Sequence, residues 1–442
     1  MKRPEITTSV IIPTHNRQES IIRLLDKLGH QSYPLQQMEV IVIANSCSDN
    51  TVSRLREYNA PYQFRFAETQ SNGPALPRNT GASMATGSFL IFIDDDIEPS
   101  DGFVEAHVKA SLNIDDPVVI GYLPYVMPER TDYYRLSLRA WWEQKYSDME
   151  RPGHRFKYDD LLSGNFSISS DLFNKVSGFM TGFTCRDDYE LGMRLIAVGA
   201  NFVFSREAWG YHHDTVTDLD RSLKRKVEEG KVDVQLSKLH PEILTSHQQS
   251  TKNCSNSFLK SKLGVLLFTS PKMADIYAAY LRLLMSILEY LNLHAKWKYL
   301  SRKLHTYWYY RGLLQQSGSE EELISYISRK TSDQKNISVS EINLEDGIDA
   351  AERFMDIGRP ESIILRYGSH LLTVIHENPG FERLRGRHLK EMLANEYSWK
   401  LMKAAALGRV TADNRNKSCA YDEGVADTTL SDMSIKSLVN RY

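Results

Sequence analysis

The chain has 442 residues, 25% charged and 41% hydrophobic, with 54 Lys and Arg against 56 Asp and Glu for a formal net charge of -2. This mixture, with 24 Gly and 15 Pro, excludes a collagen, a wholly disordered chain and a disulfide-dense mini-scaffold. Balanced charge argues against a generally basic nucleic-acid binder, and the length sets a soft expectation of about two to four domains.

The first element is a β-branched run, TSVIIPT (8–14), stopped by Pro13 and patterned as a buried parallel strand. Residues 17–30 follow as a helix with Ile21, Ile22, Leu24, Leu25 and Leu28 on one face. VIVIA (40–44) is a second buried strand, and 49–58 a helix capped at Asp49. YQFRFAE (62–68) is a third strand, and 77–87 a short helix closed by Gly87. SFLIFI (88–93) is a fourth strand that runs directly into Asp94, Asp95 and Asp96. Alternation of this kind predicts a Rossmann-like, doubly wound, mostly parallel sheet flanked by helices. Ligands of such sheets bind at the carboxyl ends of the strands, which directs attention to Thr14–Arg17, Asn45–Asp49 and Asp94–Asp96.

Further along, 121–126 reads as a strand, 135–146 and 187–199 as helices, and 201–205 as a short strand. Residues 246–257 and 317–341 are polar linker candidates, and 258–316 is helical in pattern. A small α+β end domain over 342–410 and a polar tail over 411–442 complete the expected organisation, behind an α/β domain over 1–245. The four cysteines, Cys47, Cys185, Cys254 and Cys419, form no C-x-x-C pair, as expected of a reduced cytoplasmic chain. Sequons at Asn165, Asn253, Asn336 and Asn416 read as chance matches without a secretory signal. No window is long and apolar enough for a spanning helix. The nearest, 276–293, is interrupted by Arg282 and Glu289 and reads as a buried helix. The alternative is a peripheral contact with the inner face of a membrane through 258–316, because Lys296, Lys298, Arg302 and Lys303 follow it.

Four groups carry chemistry. Adjacent carboxylates raise one another's pKa unless a cation sits among them, so Asp94-Asp95-Asp96 at a strand end suggests Mg2+ or Mn2+; a solvated or capping turn is the bland reading. Asp187 and Asp188 open a helix, where the dipole stabilises them, and one of them can serve as a base toward a hydroxyl. His212 and His213 could complete a metal site, and Arg78 could meet a diphosphate. No dinucleotide, P-loop, zincin or hydrolase motif occurs at a strand–helix junction.

Taken in order, VIIPTHNR, VIVIANSCSDNT, GPALPRNTGASMATGSFLIFIDDDIEP, LLSGNFSISSDLFNKVSGF, RDDYELGMRL and EAWGYHHD closely resemble the family 2 glycosyltransferases with the GT-A fold. The resemblance implies inverting, metal-assisted transfer of a sugar from a nucleotide diphosphate-sugar. It implies Asp188 as general base, with Asp187 in the first place of the acidic pair. It also implies Pro13, Thr14, Asn16, Asn45, Asp49, Arg78, Asp94, Asp95, Asn165 and Asp187 around the donor, with Gly164 in the same loop as Asn165. Asp96, Asp94 and His212 would be the metal contacts, with His213 as the rival of His212. Ala44 stands where many members carry a base-binding Asp, and Asp187 where Glu is commoner. The acceptor could be a glycan, a lipid-linked sugar or a small molecule; no nucleic-acid partner is expected. A nucleotidyltransferase is disfavoured because PTHNRQES lacks Gly and Lys. A non-catalytic scaffold is disfavoured because Asp94, Asp96 and Asp188 are all present.

Overall fold

The computed structural model describes residues 7–126, 131–213, 218–241, 258, 260–319, 321–323 and 339–407. The linker 246–257, the tail 411–442, Asp214, Cys254, Cys419 and the sequons at Asn253, Asn336 and Asn416 lie outside the described residues. Two units are formed, one within Met1–Ile337 together with Glu377–Leu384 and the other within Ser338–His376 together with Arg385–Tyr442.

In the first unit, β1 (Thr8–Thr14), β2 (Met38–Asn45), β3 (Gln63–Thr69), β4 (Phe89–Ile93), β5 (Ile97–Pro99), β6 (Pro117–Tyr122), β7 (Asn165–Ser169) and β8 (Asn201–His212) form one sheet in the order β3-β2-β1-β4-β7-β6-β8-β5. The β1, β2, β3 and β4 pairings are parallel, as is β6 with β8, whereas β7 and β5 pair antiparallel. β1 is the switch point: its neighbours are β2 on one side and β4 on the other.

The β-branched pattern explains the two layers. Val10 and Ile12 turn to one face, where Ile21, Leu24, Leu25 and Leu28 of α1 (Gln18–Leu28) and Leu55 of α2 (Thr51–Glu57) cover them. Ile11 turns to the other, with Ala75 of α3 (Ala75–Met84) and Leu191 and Leu195 of α7 (Asp187–Ala197). Both faces are thus dry, as a parallel sheet requires. α4 (Phe103–Ser111), α5 (Tyr133–Glu150) and α6 (Ser170–Lys175) complete the layers, and α8 (Leu219–Leu239) leads into the extension.

Three expected boundaries shift. α3 ends at Met84, before Gly87, whose N–H bonds Ser9 Oγ at 3.0 Å. A Cβ at Gly87 would meet that oxygen at 2.8 Å, so this glycine serves close packing rather than helix capping. The strand expected over 121–126 lies earlier, because Pro117–Ile120 pair with Asn201–Phe204 of β8. β8 itself runs to His212, well past the expected residue 205, because its far end pairs with β5.

The extension contains α9 (Lys262–Thr269), α10 (Pro271–Tyr290) and α11 (His294–Ser317). Their shared core is Leu267, Ala278, Met285, Trp297, Leu304 and Tyr307 with Leu223 of α8. Among the described residues, no helix is long and apolar enough to cross a membrane. The second unit has a three-stranded sheet of β9 (Val339–Asn343), β10 (Ser362–Tyr367) and β11 (His370–Ile375), with α12 (Ile348–Gly358) and α13 (Gly386–Glu391).

Candidate active site

The crevice opens at the carboxyl ends of β1 and β4. Thr14, the last residue of β1, donates from Oγ1 to Asp95 Oδ2 at 2.6 Å. Asp94 is fixed by its N–H to the Gly164 carbonyl (3.1 Å) and by Arg78 Nη2 on Oδ1 (2.8 Å). Arg78, buried on α3 over the Phe179 ring, also donates from Nη1 to Asp187 Oδ2 at 2.9 Å. One guanidinium therefore ties the acidic turn after β4 to the start of α7. Burial alone would lower the Arg78 pKa, but the charges of Asp94, Asp187 and Asp188 outweigh it and hold the group ionised.

Asp188, the next residue of α7, accepts from the Ser163 N–H (3.5 Å) and Oγ (3.3 Å). Residues 163 and 164 thus touch the two acidic segments in turn, Ser163 at Asp188 and Gly164 at Asp94. A Cβ on Gly164 would come within 2.8 Å of Asp94 Oδ2, which accounts for the missing side chain. Burial, and then the charge of Asp187, push the Asp188 carboxyl up to about 6, against the pull of Arg78 and Arg225. Burial also pushes Asp95 up to about 7, opposed by the Thr14 hydrogen bond, with the Asp96 charge adding to the rise. Asp96 behaves in the opposite way: burial raises it, but the His212 hydrogen bond and the charges of His212 and Arg17 bring it below the ordinary value.

His212 ends β8 and presents Nε2 to Asp96 Oδ1 at 3.5 Å. The His213 N–H bonds the Asp96 carbonyl at 3.0 Å, but its ring turns to Glu98 Oε2, also at 3.0 Å. Of the two histidines, His212 faces the acidic turn. Asp94 lies on Arg78 instead, and among the described residues no three His, Cys, Asp or Glu side chains converge on one point.

Several expected donor contacts have other work. Asn165 is buried, its Oδ1 on His107 Nε2 (2.8 Å) and its Nδ2 on the Ala208 carbonyl (2.9 Å), so its side chain turns away from the crevice into the sheet. Asn45 Oδ1 accepts from the Ser71 N–H at 2.9 Å and Nδ2 donates to the Ser71 carbonyl at 3.0 Å, pinning the loop after β3. Asp49 accepts from the Thr51 and Gln18 N–H groups at the starts of α2 and α1. Asn16, in the left-handed region at φ 52°, accepts from the Ser48 N–H at 2.7 Å and joins the loops after β1 and β2. Pro13 pairs with Ile43 inside the sheet.

Ser163 and Arg225 enter the site without having been singled out. Arg17 ends the stretch Thr14–Arg17 marked after the first strand, which gives it no individual role; its Nη2 lies 3.5 Å from Asp96 Oδ2. Ser163 and Arg225 act across the fold, and nothing local in the sequence marks them.

Residues 9–176 match the family model described as glycosyl transferase family 2. Glycosyltransferase AglE of Haloferax volcanii is 24% identical over 230 residues, covering 52% of this chain and 73% of that protein. Validoxylamine A glucosyltransferase of Streptomyces hygroscopicus subsp. jinggangensis is 28% identical over 232 residues, 46% of this chain and 54% of that protein. Poly(ribitol-phosphate) beta-N-acetylglucosaminyltransferase TarS of Staphylococcus aureus is 36% identical over 90 residues, only 20% of this chain and 16% of that protein. A solved mannosyltransferase structure, PcManGT from Pyrobaculum calidifontis in complex with GDP-Man and Mn2+, is similar at TM-score 0.47 and 18% identity over 71% of this chain and 88% of that one. The fold is a doubly wound, mostly parallel α/β sheet flanked by helices. Residues 9–176 thus carry a glycosyl transferase family 2 domain, which makes the chain a glycosyltransferase by class, with a C-terminal extension beyond the matched domain.

Proposed function

We propose that the crevice transfers a sugar from a nucleotide diphosphate-sugar to an acceptor hydroxyl with inversion at the anomeric carbon. One observation carries this reading: the Arg78 bridge between Asp94 and Asp187, which fixes Asp188 beside the acidic turn. Asp188 is ionised at neutral pH yet basic enough to take a proton, as a general base should be. It accepts the acceptor's hydroxyl proton while the acceptor oxygen attacks from the face opposite the diphosphate. The C–O bond to the diphosphate breaks as the new glycosidic bond forms, so no covalent protein intermediate is needed. Because Arg78 is enclosed by carboxylates, its role is to hold Asp94 and Asp187 in place. Arg17, partly exposed beside Asp96, is the better-placed cation for a diphosphate oxygen.

A divalent metal fits the donor set as an open site. Asp96 and His212 would hold it, one carboxylate oxygen and one imidazole nitrogen facing each other. An ion that keeps several waters and takes phosphate oxygens needs no closed protein cage. When bound, it would neutralise charge on the leaving diphosphate. The relatives' names, a glucosyltransferase and an N-acetylglucosaminyltransferase, support hexosyl transfer in glycan or glycoside assembly. The test is an NMR assignment of product anomericity with a purified donor: an inverted product is expected, and retention overturns the role of Asp188.

A further inference from the structure

Helix α10 carries two apolar faces. The inner one, with Ala274, Ala278, Leu281, Met285 and Leu288, is buried in the extension. The outer one is a line of Met273, Ile276, Tyr280, Leu283, Ile287 and Tyr290, spaced 3-4-3-4-3 along about 26 Å of helix. It lies open, with Leu283 65% and Tyr290 85% exposed. Apart from Lys272 in the first turn, which is exposed, the charges within the helix do not share this line. Asp275 takes the Tyr307 hydroxyl and Arg311, Arg282 pairs with Asp220 at 2.6 Å, and Glu289 accepts the Tyr133 N–H at 2.8 Å. The intervening outer positions, Ala279 and Ser286, are uncharged. An apolar line of this length on a soluble surface marks a contact site.

The segment that follows decides what the site contacts. Residues 291–303 contain Lys296, Lys298, Arg302 and Lys303 and no Asp or Glu. Lys296, Lys298, Arg302 and the Tyr299 ring beside them are exposed. A second copy of the chain is a poor match. The heptad spacing would suit a helix pair, but the flanking charges that fix register in such pairs are absent from this face. An anionic lipid surface satisfies both halves, with apolar side chains entering the interface, tyrosines at its boundary and basic groups on the headgroups. We infer that the outer face of α10, with the basic start of α11, docks the protein on an anionic bilayer surface without crossing it.

The experiment is co-sedimentation of the full chain with vesicles of phosphatidylcholine, alone or with about one third phosphatidylglycerol. The wild type should pellet with the anionic vesicles, remain largely in solution with the neutral ones, and be released as salt is raised. Leu283→Asp with Ile287→Asp, and separately Lys296→Glu with Lys298→Glu, should each lower partitioning at least about tenfold with an unchanged melting curve. The charge-reversal variant carries the test alone if the first does not fold. Failure of the wild type to pellet, or equal pelleting of wild type and folded variants, overturns the inference. So does a wild-type dimer that ignores vesicles and is dissociated by the Asp pair, which would assign the face to a second copy.

Discussion

Two arginines, Arg78 buried and Arg186 half-buried, flank the start of α7, and they sit in opposite electrostatic settings. Arg78 meets Asp94 and Asp187 in a crevice that also holds Asp95, Asp96 and Asp188, with Arg17 beside Asp95 and Asp96 and His212 beside Asp96. Arg186, one residue before α7 and at φ 60°, meets Glu229 and Asp233 of α8, where Lys226 and Arg225 also face Glu229. The Arg186 cluster has at least as many cations as carboxylates, and it joins elements of the fold. The Arg78 cluster has an excess of carboxylates, and that excess is tolerable where a cationic ligand or a proton belongs to the working state. Charge that is balanced within the chain marks structure, whereas charge left in surplus at a strand end marks chemistry.

The largest expected effect follows at Asp188. Asp188→Asn should lower kcat about 10²- to 10⁴-fold with little change in donor KM, measured by release of the nucleoside diphosphate. In the wild type, kcat/KM should fall as pH drops through about 6 and level off above it, and the variant should lack that limb. The stability sign is the reverse. A carboxyl raised on folding costs stability once pH exceeds its unfolded value, so Asp188→Asn should raise Tm at pH 8 and not at pH 4.

Arg78→Met comes next. It leaves the buried Asp187 without its cation, so urea unfolding should show a loss of about 3–5 kcal/mol along with a marked fall in kcat. Unchanged stability would mean that the two carboxylates do not depend on this guanidinium. A smaller effect separates the histidines: His212→Gln should raise the Mn2+ concentration for half-maximal rate by roughly tenfold or more, and His213→Gln should not. The smallest effect on activity belongs to Arg186→Met. It should lower Tm while kcat per folded molecule stays near wild type, and a kcat loss like that of Arg78→Met would erase the distinction between the clusters.

The strands could be read because apolar β-branched runs end abruptly in polar residues, as at Ile93-Asp94. The first half of the sheet and the acidic turn were therefore legible. Asn165 was not, because its partners His107 and Ala208 lie 58 and 43 residues away, and a polar residue in a motif gives no sign that a buried histidine awaits it. The far end of β8 was missed because Arg206 and Glu207 interrupt the apolar run, although pairing with β5 continues the strand. The resemblance places Asp94 with the metal and the donor, and its guanidinium partner Arg78, which comes from a separate helix, could not be paired with it from the sequence.

One detail of chain path bears on how the catalytic unit can be isolated. Residues 377–384 belong to the first unit although 339–376 belong to the second. There Glu382 is buried, its N–H on the Phe156 carbonyl at 2.8 Å and its Oε1 accepting the Phe156 N–H at 3.1 Å, while Tyr158 N–H reaches the Gly380 carbonyl at 2.9 Å. A truncation after residue 337 would keep every candidate catalytic residue and still strip the backbone partners of residues 156 and 158, just upstream of Ser163 and Gly164. The smallest fragment that keeps these pairings is discontinuous in sequence, because it must retain 377–384 as well as the residues before 338.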